Sequence, residues 1–154
     1  MKSHTQVAVI GGGVVGCSVL YHLTKLGWKD TLLLERSELT SGSTWHAAGG
    51  MHTINGDPNV AKLQQYTIEL YQEIEKISGQ EIGLHMSGGI MLAATQERFD
   101  WLKSMHAKGA YLGMDTEIIS AREAAEIMPL INPDHFVGAL YDPIEGHLDP
   151  SGTT

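Results

Sequence analysis

Three glycines near the start of the chain have the spacing of a loop that binds the phosphates of a dinucleotide. Gly11, Gly13 and Gly16 satisfy the pattern GxGxxG. In such a loop the first glycine permits a tight turn, the second lets backbone N–H groups approach a pyrophosphate, and the third lets the next helix lie close to the sheet. The N-terminus of that helix adds a local positive potential. The spacing therefore predicts a dinucleotide site.

A carboxylate completes this pattern. Glu35 ends an apolar run about 20 residues beyond the glycine loop, where an acidic residue accepts hydrogen bonds from ribose hydroxyls. Because a carboxylate repels a 2′-phosphate, NADP is disfavoured, while FAD and NAD both remain open. Arg36, at the end of this strand, is compatible with a solvated surface charge. Cys17, just inside the helix, is interpreted as a small packed side chain.

A second glycine-rich segment, SGSTWHAAGG at positions 41–50, directly follows the strand that carries Glu35. Its small residues let a flat ring system come close to the backbone, and Ser43 and Thr44 offer hydroxyl groups to phosphate. The composition of the loop therefore favours a flavin. Taken alone, His46 is equally compatible with an exposed or a packed loop histidine.

The elements around these loops follow from the hydrophobic pattern. Residues 5–10 predict a strand buried on both faces of a parallel sheet, residues 14–26 a helix ended near Gly27, and residues 31–34 a second, parallel strand. This strand–helix–strand unit places the glycine loop between its first strand and its helix. Residues 37–55 lack a clear period and predict a long loop with room for one short helix.

Beyond the loop, alternating helix and strand signals predict a mixed α+β region. An amphipathic helix is expected over residues 60–77, with one apolar stripe made by Leu63, Ile68, Tyr71, Ile74 and Ile77. Further signals predict a turn at 87–89 that enters a strand, a helix capped by Thr95 and running to about Lys108, a short helix with a Ser120–Glu123 capping box that ends before Pro129, and a strand over 136–141.

Composition excludes several classes of function. The chain has 154 residues, with 10 Lys and Arg against 18 Asp and Glu, which gives a formal charge of −8. This acidic balance argues against a nucleic-acid or anionic-membrane partner, and no apolar stretch is long enough to span a bilayer. The single cysteine and the spacing of the eight histidines predict no metal site. The 18 glycines exceed the usual share of about 7% and are clustered.

Several stretches of this chain closely resemble one enzyme family: VAVIGGGVVG, LLLERSEL, SGSTWHAAGG, SGGIMLAAT, EIMPLIN and GHLDPSGTT. They are similar to the flavin-dependent dimethylglycine and sarcosine dehydrogenases, within the D-amino-acid-oxidase-like flavoproteins. The resemblance implies an α/β fold, with a Rossmann-like FAD-binding βαβ unit and attachment loop at residues 1–56 and an inserted α+β region at 57–148. Residues 149–154 would begin a return to the FAD domain, so the chain is expected to be the N-terminal portion of a larger doubly wound flavoprotein.

The resemblance also implies the site residues. In that family the histidine of the TWHAAG motif is bonded covalently to the 8α-methyl carbon of the flavin, which makes His46 the expected attachment residue. The FAD-lining positions by motif matching are Gly11, Gly13, Val14, Val15, Gly16, Glu35, Arg36, Gly42, Ser43, Thr44, Trp45, His46, Ala47, Ala48, Gly49 and Gly50. Catalytic residues are not assigned, because the resemblance places most of them beyond residue 154.

The activity implied is hydride transfer from an N-methylated glycine to FAD, with an electron-transfer flavoprotein as electron acceptor and tetrahydrofolate as a further ligand of the C-terminal part. The choice between dimethylglycine and sarcosine is open. Two alternatives remain: an NAD-dependent oxidoreductase and a non-enzymatic regulatory module that keeps the flavin fold. The branch of the family that consists of such regulatory modules lacks the histidine of the TWHAAG motif. The absence of a transit peptide before the first strand leads us to expect a cytoplasmic protein that, as this fragment alone, binds FAD poorly and is inactive.

Overall fold

The computed structural model describes residues 3–154, so Met1 and Lys2, which begin the first predicted domain, lie outside the described residues. The described chain contains seven strands: β1 Val7–Ile10, β2 Thr31–Leu34, β3 Gly50–Met51, β4 Gly89–Ala93, β5 Glu117–Ile119, β6 Gly138–Asp142 and β7 Gly146–His147. Its α-helices are α1 Val14–Lys25, α2 Pro58–Ser78, α3 Gln96–Tyr111, α4 Ala121–Ile127 and α5 Pro150–Thr153. Two short 3-10 helices cover Thr44–His46 and Pro133–His135.

The chain divides into two compact units. The first comprises the chain up to Gly49 together with Gln80–Gly83 and Leu148–Thr154, and the second comprises Gly50–Gly79 and Leu84–His147. The predicted domain ranges 1–56, 57–148 and 149–154 stay predictions.

The first unit is a βαβ unit, as the sequence predicts. Strands β1 and β2 pair in parallel with Val7 opposite Thr31, and α1 packs against both. Helix α1 ends at Lys25, and Gly27 follows with a φ of 92°, a conformation that glycine adopts without strain. This arrangement puts the glycine loop at the carboxyl end of β1, the edge at which open parallel sheets bind ligands.

The predicted burial of β1 on both faces is wrong. Along β1, half-buried and exposed residues alternate, and Ile10 is 85% exposed. At the end of β2, Leu34 is 46% exposed. The reason is that, among the described residues, the sheet consists of β1 and β2 alone, with α1 packed against it. An apolar run in the sequence indicates which surface of a strand can be buried. The described residues bury only part of that surface in β1.

The second unit is built on an antiparallel sheet of order β4–β6–β5, with β3 and β7 forming a separate antiparallel pair. Its core is a cluster of buried apolar side chains: Ile54, Ala61, Ala93, Leu102, Met114 and Leu140. The predicted helix caps are confirmed, since the Thr95 hydroxyl accepts a hydrogen bond from Arg98 N–H and Ser120 and Glu123 form a reciprocal capping box.

The apolar stripe predicted for α2 is only partly correct. Ile68 is buried, but Leu63 and Ile77 are 63% and 69% exposed. The buried residues of α2 are Ala61, Ile68 and Leu70. The predicted stripe considered only large apolar side chains, so it did not identify the buried face of α2, which includes Ala61. No helix among residues 3–154 combines the length and the apolar character needed to cross a membrane.

Candidate functional site

The glycine loop has the geometry that a bound pyrophosphate requires. Gly11 has a φ of 111°, which side-chain-bearing residues rarely adopt, and a Cβ at Gly16 would overlap the carbonyl oxygen of Gly11. Gly13 is the N-cap of helix α1 and has no side chain that could cap the helix, and the first turn of α1 carries no acidic residue. The roles predicted for Gly11 and Gly16 therefore agree with their backbone geometry.

The first N–H groups of α1 are only partly used within the chain. Val14 N–H donates to the Thr44 hydroxyl oxygen at 3.0 Å, and Cys17 N–H donates to the Gly13 carbonyl at 3.0 Å. Among the described residues, no acceptor is bonded to the N–H groups of Val15 and Gly16 between them. Free N–H groups at the positive end of a helix are suited to hold a phosphate. This cradle fits a dinucleotide.

Glu35 lies directly against the glycine loop. One carboxylate oxygen accepts the Gly12 N–H at 2.6 Å, and the other accepts the Ser37 N–H at 2.9 Å. These two hydrogen bonds, with a smaller contribution from the positive charge of Arg36, lower the pKa of the Glu35 carboxyl below its usual range. Because each carboxylate oxygen has more than one lone pair, Glu35 can still accept hydrogen bonds from ribose hydroxyls.

The loop that follows β2 is tied to the glycine loop at two further points. Thr40 N–H donates to the Gly12 carbonyl at 2.9 Å, and the Thr44 hydroxyl accepts from Val14 as described above. Thr40 has a φ of 65°, a conformation that costs a β-branched residue about 1–3 kcal/mol. The sequence reasoning missed this residue. The strained backbone and the two hydrogen bonds fix the start of the segment 41–50, called the histidine loop below, against the start of α1.

His46 is the last residue of the 3-10 helix Thr44–His46 and lies two residues after Thr44, whose hydroxyl accepts from Val14. Its Nδ1 lies 3.0 Å from the Gly42 carbonyl oxygen. Because a carbonyl only accepts, Nδ1 carries the proton, and in the neutral imidazole Nε2 keeps its lone pair. The His46 side chain is exposed, and the Trp45 indole stacks on its ring with centroids 3.8 Å apart. His46 is therefore an accessible nitrogen nucleophile with a defined tautomer.

The other predicted site residues differ in their exposure and in the unit to which they belong. Val14 and Val15 are exposed in the first turn of α1, and Arg36, Gly42, Ser43, Ala47 and Ala48 are also exposed residues. Gly49 has a φ of 77°, and a Cβ there would overlap the Leu148 carbonyl oxygen. The backbone conformation and this contact within the chain therefore explain why a glycine is needed at position 49. Gly50 belongs to the second unit, in β3. Gly13 packs against Thr44, whose hydroxyl oxygen would be 2.9 Å from an added Cβ.

Cys17 is half-buried, and burial raises the pKa of its thiol, with a smaller effect from the charge of Glu35. This agrees with its interpretation as a packed side chain, because the thiol rather than the nucleophilic thiolate is favoured. In the part of the chain that the structure describes, no three His, Cys, Asp or Glu side chains are grouped so that they could hold a metal ion.

The second unit contains a buried polar cluster that the sequence reasoning missed. The Thr53 N–H donates to Glu145 at 3.0 Å, and the Thr53 hydroxyl donates to Asp142. Glu145 also lies 3.0 Å from His52 Nδ1. All of these side chains except His52 are buried. One sequence feature could have indicated this cluster. Asp142 is an acidic residue that directly follows the apolar run at 138–141, one position beyond the predicted end of the strand.

Comparison with known proteins identifies the family. The chain is 41% identical over 153 residues to mitochondrial dimethylglycine dehydrogenase of Rattus norvegicus and 38% identical over 154 residues to mitochondrial sarcosine dehydrogenase of Homo sapiens. It covers 18% and 17% of the length of those two proteins, which are therefore much longer than this chain. The crystal structure of L-proline dehydrogenase from P. horikoshii superposes with a TM-score of 0.91 at 25% identity, over 99% of this chain and 40% of that one.

These comparisons confirm the predicted fold class, a Rossmann-type fold of a flavoprotein with mixed helices and strands, and the family model supports FAD rather than NAD as the cofactor. The family model for FAD dependent oxidoreductases, DAO, matches residues 6–154. The match includes the glycine loop, Glu35 and the histidine loop, the three features that the geometry brings together. The chain thus belongs to the DAO family of FAD-dependent oxidoreductases.

Proposed function

We propose that this chain binds FAD at the glycine loop, holds it covalently through His46, and forms the flavin-binding part of an enzyme that oxidises an N-methylated glycine, either dimethylglycine or sarcosine. The observation that carries the attachment is the hydrogen bond from His46 Nδ1–H to the Gly42 carbonyl, which leaves the Nε2 lone pair exposed. The substrate class rests on the identity to dimethylglycine and sarcosine dehydrogenases over essentially the whole chain.

The residues of the first unit have separate tasks in this proposal. The N–H groups of Val15 and Gly16 bind the pyrophosphate, and the Glu35 carboxylate accepts hydrogen bonds from the ribose. His46 Nε2 forms the bond that fixes the flavin ring. When bound, FAD supplies an electrophilic 8α-carbon for this bond and a ring that takes up a hydride from the N-methyl group of the substrate. A fixed ring orientation lowers the entropic cost of bringing donor and acceptor together.

The proposal extends to partners beyond this chain. Electrons leave through an electron-transfer flavoprotein, and tetrahydrofolate accepts the one-carbon unit in another part of the protein. Both follow from the family resemblance alone. The cytoplasmic location is likewise a proposal, and the two dehydrogenase relatives described above are mitochondrial proteins.

Covalent flavin is the first expected result. Protein saturated with FAD and then denatured in acid should keep yellow flavin fluorescence on the precipitated polypeptide, whereas His46→Ala should bind FAD and release all of it. His135→Ala is the matched control, because His135 is also an exposed histidine that ends a 3-10 helix. Free flavin in the wild-type supernatant would refute the attachment, and retained colour in His46→Ala would assign it to another residue.

Because this chain alone is expected to be inactive, substrate oxidation is tested separately on the enzyme of which it forms the flavin-binding part. That enzyme, loaded with flavin, is mixed with amines in the absence of oxygen. Dimethylglycine or sarcosine should bleach the oxidised flavin absorbance, because hydride loss from the N-methyl group is assisted by the nitrogen lone pair. Trimethylglycine, which has the same carboxylate and methyl groups but no lone pair, should leave the spectrum unchanged. Bleaching by NADH but by neither amine would contradict the proposed amine substrate and would indicate a nicotinamide dinucleotide instead.

A further inference from the structure

Asn55 is followed by Gly56 in the loop between β3 and α2, and nothing in the proposed function uses this pair. An asparagine before a glycine is prone to lose its side-chain amide, because the next backbone nitrogen reaches Cγ and glycine has no side chain to hinder it. An added Cβ at Gly56 would meet no atom within 4 Å, so the space around it is open. Among residues 3–154, no acceptor is bonded to the Gly56 N–H. The attacking nitrogen is therefore accessible.

A hydrogen bond turns the Asn55 side chain toward the backbone that follows it. Its Oδ1 accepts the Asp57 N–H at 3.0 Å, which forms an Asx turn. The ring closed by this bond contains both the Asn55 Cγ and the Gly56 nitrogen, so the two reacting atoms are kept near each other. Attack on Cγ places negative charge on Oδ1, and the Asp57 N–H already donates to that atom. The Asp57 N–H is thus positioned to stabilise the developing oxyanion.

A lysine from another helix acts on the same peptide group. The Lys108 ammonium, in the last turn of α3, donates to the Gly56 carbonyl oxygen. That carbonyl and the Asp57 N–H belong to one peptide group, so a positive charge on the oxygen makes the N–H a stronger donor. All of these residues lie in the second unit. The fold therefore brings a cation from 52 positions away to a pair of residues that is reactive by its local sequence.

We propose that Asn55 is a site of spontaneous deamidation and that the folded structure accelerates the reaction. The Gly56 nitrogen gives up its proton and forms a bond to Asn55 Cγ. The bond between Cγ and the side-chain amide nitrogen breaks, and that nitrogen leaves with the proton as ammonia. Water then opens the cyclic imide at either of its two carbonyls, which leaves an aspartyl or an isoaspartyl residue. No oxidant or reductant takes part.

The product alters the start of α2. Asp57 is the N-cap of this helix, and its side chain accepts the N–H groups of Asn59 and Val60. The isoaspartyl form adds one carbon atom to the backbone two residues before the cap and displaces it, which weakens the helix. The new negative charge alone is favourable near a helix N-terminus. Aged protein should therefore unfold at a lower urea concentration than fresh protein, whereas fresh Asn55→Asp, which has the charge without the added carbon, should not.

The test is the rate of deamidation of the purified full chain at mildly alkaline pH. Peptide mass spectrometry follows each asparagine, and labelling by an isoaspartyl methyltransferase follows the isoaspartyl form. Two other asparagines are internal controls and should stay unmodified. Asn59 precedes Val60, whose N–H donates to Asp57, and Asn132 precedes Pro133, which has no N–H. The chain unfolded in guanidinium chloride should convert Asn55 more slowly than the folded chain.

A substitution of Lys108 tests the contribution of the fold. Lys108→Met removes the ammonium but keeps a long side chain, and it should slow the conversion of Asn55 in the folded chain by about two- to tenfold, the effect of one hydrogen bond. Its rate in guanidinium chloride should equal that of the wild type. Lys108→Arg keeps a cation near the Gly56 carbonyl and should restore most of the folded rate.

Each outcome decides one part of this inference and leaves the flavin chemistry aside. Faster conversion of Asn55 in the folded than in the unfolded chain, with slowing in Lys108→Met and recovery in Lys108→Arg, would support it. Equal or slower conversion in the folded chain, or an unchanged rate in Lys108→Met, would overturn the acceleration by the fold. An Asn55 that stays as intact as Asn59 and Asn132 would overturn the site itself.

Discussion

Gly16→Ala is expected to weaken FAD binding by roughly ten- to a hundredfold and to destabilise the first unit. The Cβ of an alanine at this position would overlap the carbonyl oxygen of Gly11. That atom belongs to the backbone of the glycine loop, so no side chain can rotate away, and either β1 or α1 must shift. Inserting a methyl group into such a contact costs about 1–3 kcal/mol, which corresponds to this loss if the shift removes the phosphate cradle.

Fluorescence quenching of FAD and urea unfolding measure the two effects. Gly56→Ala is the matched control, since an added Cβ at Gly56 meets no atom within 4 Å and its φ is not in the region that favours glycine. This control should change the free energy of unfolding by less than about 0.5 kcal/mol. Equal FAD affinity in Gly16→Ala and Gly56→Ala would show that the helix does not need to approach the sheet at this point.

The parts of the site that the sequence predicted are those with local signals. Gly11 and Gly16 are required by the backbone of a single turn, and both the spacing and the φ of Gly11 follow from that turn. The α1 boundaries were accurate for the same reason, because an apolar helical period begins at Val14 and a glycine stands at position 27. Strands β5 and β7, with three and two residues, are too short for a period-2 pattern and were missed.

The contacts within the site needed the structure, because they join segments that no local pattern relates. Glu35 was predicted to accept ribose hydroxyls, but its bonds to Gly12 and Ser37 depend on the path of the loop after β2. Thr44 was assigned to phosphate, yet its hydroxyl oxygen accepts from Val14, 30 positions away. The buried pair of Thr53 and Asp142 is separated by 89 positions. Sequence patterns and the family resemblance predicted candidate cofactor-binding residues, whereas the tertiary fold determines how those residues support one another.

That buried pair leads to the second prediction with a large effect. Thr53 is fully buried, and Asp142 is 1% exposed. The Thr53 hydroxyl donates to one carboxylate oxygen of Asp142, and the Ile144 N–H donates to the other at 3.1 Å. Since valine has nearly the shape of threonine, Thr53→Val removes the hydroxyl donor and creates almost no cavity. It leaves a buried carboxylate oxygen without that donor.

Thr53→Val should therefore destabilise the second unit by about 1–3 kcal/mol, the cost of an unsatisfied buried polar group. Urea unfolding measures this as a lower midpoint at an unchanged dependence on denaturant concentration. Thr67→Val is the matched control, because the Thr67 hydroxyl donates to the Leu63 carbonyl at 2.7 Å near the helix surface, where water can replace it. Its effect should stay below about 0.5 kcal/mol. If both variants unfolded at the same urea concentration, the Thr53 hydroxyl would contribute nothing beyond a surface hydrogen bond, and the buried carboxylate would have to be satisfied by its other donors alone.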